Sequence, residues 1–252
     1  MLQKRIIPCL QLFNESLVKT VKFKNYKYIG DPVNTVRIFN ELEVDELCFL
    51  DIRASKNNYH PNLELLQEIA NEAFMPMSYG GGIKTLEQAK SIFSIGFEKI
   101  IINTSYSYNR SLVTEISNYF GSQSVIVSLD LYTNFFNKTK AYVKSGTEQL
   151  KDNYLDIVKN IENDGAGEII LNSINRDGTW KGFDVDIIKI VSDFAKIPII
   201  ANCGAGNINH INEVFSKTNV SAVALGSMVV YQKKDMGVLV NFPDKNKIKF
   251  LE

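Results

Sequence analysis

Residues 124–130 read SVIVSLD, an apolar run that closes on a carboxylate. Residues 168–172 read EIILN, a second run that opens on Glu168 and closes on an amide. Runs this short, rich in Ile and Val and apolar on both faces, are how buried parallel strands read. Six more share the pattern: RIIPCL at 5–10, ELCFLD at 46–51, PMSY at 76–79, KIIIN at 99–103, PIIAN at 198–202 and AVALG at 222–226. Helical patterns lie between them. Asp31-Pro32 supplies an N-cap and a first-turn proline. Thr85-Leu86-Glu87-Gln88 resembles a capping box. Asp184 is a cap candidate before 185–194, and residues 62–73 and 153–164 carry the three-to-four apolar spacing. Eight β/α units in a chain of 252 residues predict a (β/α)8 TIM barrel. A doubly wound open sheet is the alternative, with fewer strands per residue. No linker or composition break divides the chain, so residues 1–252 are expected to form one domain.

The chain also echoes itself at about 120 residues, half its length. SVIVSLDL (124–131) follows RIIPCLQL (5–12), and GEIILNSINRDGT (167–179) follows DELCFLDIRAS (45–55). IPIIANCGAG (197–206) follows MPMSYGGGI (75–83), and AVALGSM (222–228) follows KIIINTS (99–105). Four pairs in the same order predict two fused half-barrels of four units each.

Composition narrows the function. Lys+Arg and Asp+Glu number 28 each, so no net positive charge draws the chain to nucleic acid or an anionic membrane. No window approaches the roughly 18 apolar residues of a membrane span. The N-terminal MLQKRIIPCL does not read as a signal peptide. Three cysteines (Cys9, Cys48, Cys203) without a pairing pattern suggest a reduced, cytoplasmic protein. Two distant histidines, His60 and His210, give neither a zinc set nor a histidine-based nucleophile. No cofactor and no metal are expected.

A barrel carries its chemistry at the strand C-termini. Gly80-Gly81-Gly82 and Gly204-Ala205-Gly206 follow strands there, and glycine turns free backbone N–H groups for an anion. Asn103-Thr104-Ser105 and Gly226-Ser227 add amide and hydroxyl donors after the next strand of each half. Each half therefore offers one phosphate cradle, suited to a small ligand with two phosphates. Tight turns without a ligand are the plainer explanation. Asp130 closes its strand where an acid–base group would sit. Its repeat partner is Gln11, whose amide cannot exchange a proton near neutral pH. At the opposite end, Arg5, Glu46, Lys99 and Glu168 each begin a strand. Two cations and two anions there could close a ring of ion pairs, either a structural layer or a gate on an axial passage.

Together these residues resemble the cyclase subunit of imidazole glycerol phosphate synthase, the (β/α)8 half of a bipartite glutamine amidotransferase. The resemblance is carried by MLQKRIIPCL (1–10), Gly30-Asp31-Pro32, Phe49-Leu50-Asp51-Ile52, Gly80-Gly81-Gly82-Ile83, Phe120-Gly121-Ser122-Gln123, residues 165–169 and Arg176-Asp177-Gly178-Thr179. It covers residues 1 to about 230. It implies that a glutaminase subunit docks on the bottom face and passes ammonia through the gate of Arg5, Glu46, Lys99 and Glu168. It implies phosphate and substrate contacts at Lys19 (in a mobile first loop), Gly81, Gly82, Asn103, Thr104, Ser173, Asp177, Gly204, Gly226 and Ser227. The family's two catalytic aspartates map to Gln11 and Asp130, so one is missing. Asn172-Ser173 stands where the family has Thr-Ser, and Asn202-Cys203 departs from its second phosphate turn. Gly237 and Pro243 interrupt the eighth helix. A gate kept while the acid–base pair is lost resembles the divergent paralogues associated with glycosyl amidation in surface-polysaccharide or flagellar-sugar biosynthesis. Those are thought to hand ammonia to a third, sugar-amidating protein. A working histidine-pathway cyclase and a non-catalytic scaffold for the glutaminase are the alternatives.

Overall fold

The computed structural model describes residues 3–251. Eight parallel strands close a barrel: β1 (Arg5–Phe13), β4 (Leu47–Asp51), β5 (Met77–Gly80), β6 (Lys99–Ile102), β7 (Val125–Thr133), β10 (Glu168–Ser173), β11 (Ile199–Asn202) and β12 (Ala222–Leu225). The ring closes where β1 pairs with β12, Arg5 opposite Ala222. Four short strands fold back outside it. β2 (Ser16–Val21) and β3 (Lys24–Gly30) continue from β1, while β8 (Thr139–Val143) and β9 (Glu148–Gln149) continue from β7. These antiparallel hairpins spring from the first strand of each half, so the repeat in the sequence extends into the loops. The hairpins are additions to the predicted elements.

Helices α1 (Pro32–Glu41), α2 (Ala54–Asn57), α3 (Leu63–Glu72), α4 (Leu86–Ile95), α5 (Thr104–Tyr108), α6 (Ser111–Phe120), α7 (Tyr154–Asn163), α8 (Val185–Phe194), α9 (Ile208–Lys217) and α10 (Ser227–Val230) alternate with the barrel strands. Asp31, Asn62, Thr85, Asn153 and Asn207 each cap a helix by accepting a backbone N–H of its first turn. Gln88 reaches back, but to the N–H of Lys84 rather than of the cap residue. Asp184 departs from its expected capping role. It makes no capping bond, because its carboxylate accepts the Ser173 hydroxyl at 3.1 Å instead.

The last helix is cut to the four residues of α10. The chain beyond it is largely irregular and still packs on the core through Val240, Phe242, Phe250 and the buried Ile248. Lys245 ties it to Asp45 at 2.8 Å near the start of β4. An extended tail thus covers surface that an eighth helix would cover.

Side-chain alternation along the strands divides the apolar residues in two. Outward residues join the helices in the main core. Inward residues form a second cluster inside the barrel: Ile7, Cys9, Cys48, Ile101, Ile126, Ile170, Ile200, Ala222 and Ala224. Tyr79 belongs to the outer core and is 1% exposed, and its hydroxyl has no hydrogen-bond partner in the protein. A buried hydroxyl without a partner costs about 1 kcal/mol or more. Tyr79→Phe is therefore expected to leave stability unchanged or raise it by about 1 kcal/mol. A clear fall in thermal midpoint would show that the hydroxyl is needed.

Candidate functional site at the C-terminal mouth

One cavity of about 880 Å³ opens at the C-terminal end of the barrel. Each of the eight β/α units contributes to its wall: Gln11, Asp51, Gly81, Asn103, Asp130, Asn172, Asn202 and Gly226. Lys19, Gly82, Thr104, Asp177, Gly204 and Ser227 line it too. Of the sequence-predicted site residues at this end, Ser173 is not brought in. It alternates with the inward Asn172, and its hydroxyl points to Asp184.

Both glycine turns are tight, and the chain itself accounts for that tightness. Gly81 has φ of +142°, and a Cβ there would lie 2.6 Å from Asp51 Cβ. Gly204 has φ of +105°, and a Cβ would lie 2.2 Å from the Gly182 carbonyl oxygen. Some of the donors are already engaged. The Thr104 hydroxyl donates to Asn103 Oδ1 at 3.2 Å, the Cys203 N–H donates to Asn202, and the Gly206 N–H donates to His210 Nδ1 at 3.1 Å. Cys203 sits in the left-handed region with φ of 77°, a costly conformation for a side-chain-bearing residue.

The first loop is a strand here. Lys19 lies in β2, 7% exposed, with its stem against Gly226 and its ammonium on Asp177 Oδ1 at 2.5 Å. Asp177 also accepts the Thr20 hydroxyl at 2.7 Å and the Phe23 N–H at 3.1 Å. Gln11 completes this latch. Its Oε1 accepts the Thr20 N–H at 2.9 Å, and its Nε2 donates to Thr20 Oγ1 at 3.1 Å. The position that pairs with Asp130 in the repeat is thus spent on holding β2. Thr20 was missed by the sequence reading, although the alternation in SLVKTV at 16–21 was the available signal. Phe23 meets Gly146 of the opposite hairpin, so the two hairpins touch above the cavity.

Asp130 is buried at 5% exposure. Burial pushes its carboxyl up to about 6, against the pull of hydrogen bonds from Asn172, Ser128 and Asn103. Asp51 is also raised by burial, while the N–H groups of Arg53 and Ala54 on its Oδ1 hold it down. Asp51 is therefore a loop-capping carboxylate at the cavity edge.

At the N-terminal end the four charges close a ring. Arg5 meets Glu46 at 2.9 Å and Glu168 at 2.5 Å, and Lys99 meets Glu46 at 3.3 Å and Glu168 at 2.8 Å. Burial alone would raise Glu168, but the bonds and charges of Arg5 and Lys99 outweigh it and hold the carboxyl below its usual range. Between ring and cavity lies the apolar interior cluster, rich in isoleucine. No described helix is long and apolar enough to cross a membrane.

A closed (β/α)8 barrel with paired glycine turns and the buried Asp130 at one mouth and a ring of four charges at the other places the chain among the TIM-barrel proteins. The profile of the family described as "Histidine biosynthesis protein" matches residues 5–235. The chain is 49% identical over 248 residues to the "Putative imidazole glycerol phosphate synthase subunit hisF2" of Pseudomonas aeruginosa, covering 98% of this chain and 99% of that protein. It is 45% identical to the "Putative imidazole glycerol phosphate synthase subunit HisF" of Leptospira borgpetersenii, over 97% of this chain and 96% of that one. It is 36% identical to the imidazole glycerol phosphate synthase subunit HisF of Methanococcus vannielii, over 98% of each chain. The chain belongs to this family, as a relative of the HisF-type subunit of imidazole glycerol phosphate synthase.

Proposed function

We propose that this barrel receives ammonia from a glutaminase subunit and delivers it for amidation in surface-sugar biosynthesis, rather than cyclising a substrate itself. The observation that carries the reading is Gln11. Both of its polar atoms are engaged by Thr20, so no second proton-transfer group stands at the position paired with Asp130. Losing one member of an acid–base pair costs about 10²–10⁴ in rate. The parts that conduction needs are kept. The charge ring fits a gate on the face around Arg5, Glu46, Glu98 and Lys99, where the glutaminase would dock. The apolar interior above it favours neutral ammonia over the ammonium ion, whose desolvation is far costlier. Ammonia would leave through the upper cavity to a third protein, a sugar amidotransferase. That the glycine turns and Lys19 line the same upper cavity supports a small phosphorylated ligand there.

A second reading has its own support. Burial pushes the Asp130 carboxyl up to about 6, which suits proton transfer near neutrality of the kind a histidine-pathway cyclase would need. Ammonium salt bypasses the glutaminase and separates the two readings. With the bisphosphorylated ribulosyl intermediate and excess ammonium, the native protein is expected to give no turnover and Gln11→Asp a measurable rate. Robust turnover by the native protein would overturn the amidation reading in favour of the cyclase. No turnover in either would point to a cavity that no longer takes this intermediate.

A further inference from the structure

We propose that Asn202 and Asn172 are positioning residues for Asp130, forming a one-way relay from the backbone of the second glycine turn to the carboxylate. The relay has three links. The Cys203 N–H donates to Asn202 Oδ1 at 2.8 Å, Asn202 Nδ2 donates to Asn172 Oδ1 at 2.8 Å, and Asn172 Nδ2 donates to Asp130 Oδ1 at 2.6 Å. Register supplies the alignment. Asp130 on β7 stands opposite Asn172 on β10, which stands opposite Asn202 on β11. All three side chains are buried, at 5%, 4% and 8% exposure.

A side-chain amide can face either way, so an isolated asparagine leaves its donor undirected. This chain has fixed ends. A backbone N–H can only donate, and an ionised carboxylate can only accept. Reading from either end gives one orientation for both amides, and that orientation delivers a donor to Asp130. The two asparagines that depart from the family pattern in separate motifs are therefore one device. Reversing Asn202 would place donor against donor at Cys203. Asn172 would then keep only the Ser128 hydroxyl, 2.9 Å from its Nδ2, to orient it, and the closest hydrogen bond of Asp130 would no longer be held from the glycine turn.

The other groups facing Asp130 are few. The Ser128 hydroxyl approaches at 3.4 Å, the Asn103 amide lowers the carboxyl, and the Asp177 charge raises it from the loop after β10. Lys19 is paired with that Asp177 charge. Against burial, the relay helps to keep Asp130 ionisable near neutral pH. This role holds whichever reaction the cavity serves, so its test needs neither partner nor substrate.

The test is a carboxyl ¹³C titration of Asp130 by NMR in the full-length protein, assigned with Asp130→Asn. Asn172→Ala removes the donor and is expected to raise the midpoint by about one pH unit. Asn202→Ala touches nothing at Asp130 directly, yet it is expected to raise the midpoint in the same direction by a smaller amount. The double variant should shift no further than Asn172→Ala alone, because the residues act in series. A folded Asn202→Ala protein with an unmoved midpoint would overturn the relay. So would single shifts that simply add in the double variant. Should Asn202→Ala fail to fold, Asn202→Ser serves in its place. Serine can accept from Cys203 but is too short to reach Asn172, so it too must raise the midpoint, and an unmoved one is again fatal.

Discussion

Replacing Glu168 with alanine is expected to destabilise the protein by about 3 kcal/mol at pH 7. Glu168 accepts from both cations of the ring, at 2.5 Å from Arg5 and 2.8 Å from Lys99. Its own side chain is 10% exposed, against 26% for Arg5 and 18% for Lys99. Without it, two half-buried cations share the single carboxylate of Glu46, and their repulsion is no longer offset. The sign of the pH dependence follows from the lowered carboxyl. A group ionising more readily in the folded state contributes stability that is present above its unfolded value and is lost as pH falls through its folded value. The gap between wild type and Glu168→Ala should therefore close in acid, below about pH 4. Urea unfolding at pH 7 and in acid measures both. Equal midpoints at pH 7 would mean that the ring contributes no net stability.

The second large effect has the opposite sign. Asp130→Asn is expected to stabilise the protein at pH 7.5, by up to about 3 kcal/mol. Burial raises this carboxyl from 3.8 to about 6, so the folded state holds the proton more tightly than the unfolded chain. Stability then falls as pH rises through that window, and the ionised Asp130 weakens the fold at neutrality. An asparagine carries no charge and its Oδ1 still accepts from Asn172. The gain should vanish at about pH 3.5, where the aspartate is largely protonated in both states. Melts at the two pH values decide it, and an Asp130→Asn variant less stable than wild type at pH 7.5 would refute the account.

How legible the site was depended on the kind of residue. Asp130, Gly81, Gly82, Asn103, Thr104, Gly204, Gly226 and Ser227 were placed by strand ends alone, because a barrel sends every strand C-terminus to one mouth. Ser173 was misplaced by one step of alternation. The alternation around Thr20 marks a strand but not its place over the cavity, since β2 and β8 take their register from pairing with the long strands β1 and β7.

The sequence by itself determined the eight strands, the order of the halves, the ring charges and the absence of a second carboxylate opposite Asp130. These are local facts of period, spacing and residue type, and they survive without coordinates. Only the tertiary structure decided what the substituted residues do. Gln11 became a latch on Thr20, and Asn172 and Asn202 became partners across 30 positions of sequence. The physical reason is that a hydrogen bond between side chains depends on register and inward orientation in neighbouring strands. Closure of the barrel fixes both, and no stretch of sequence specifies them alone.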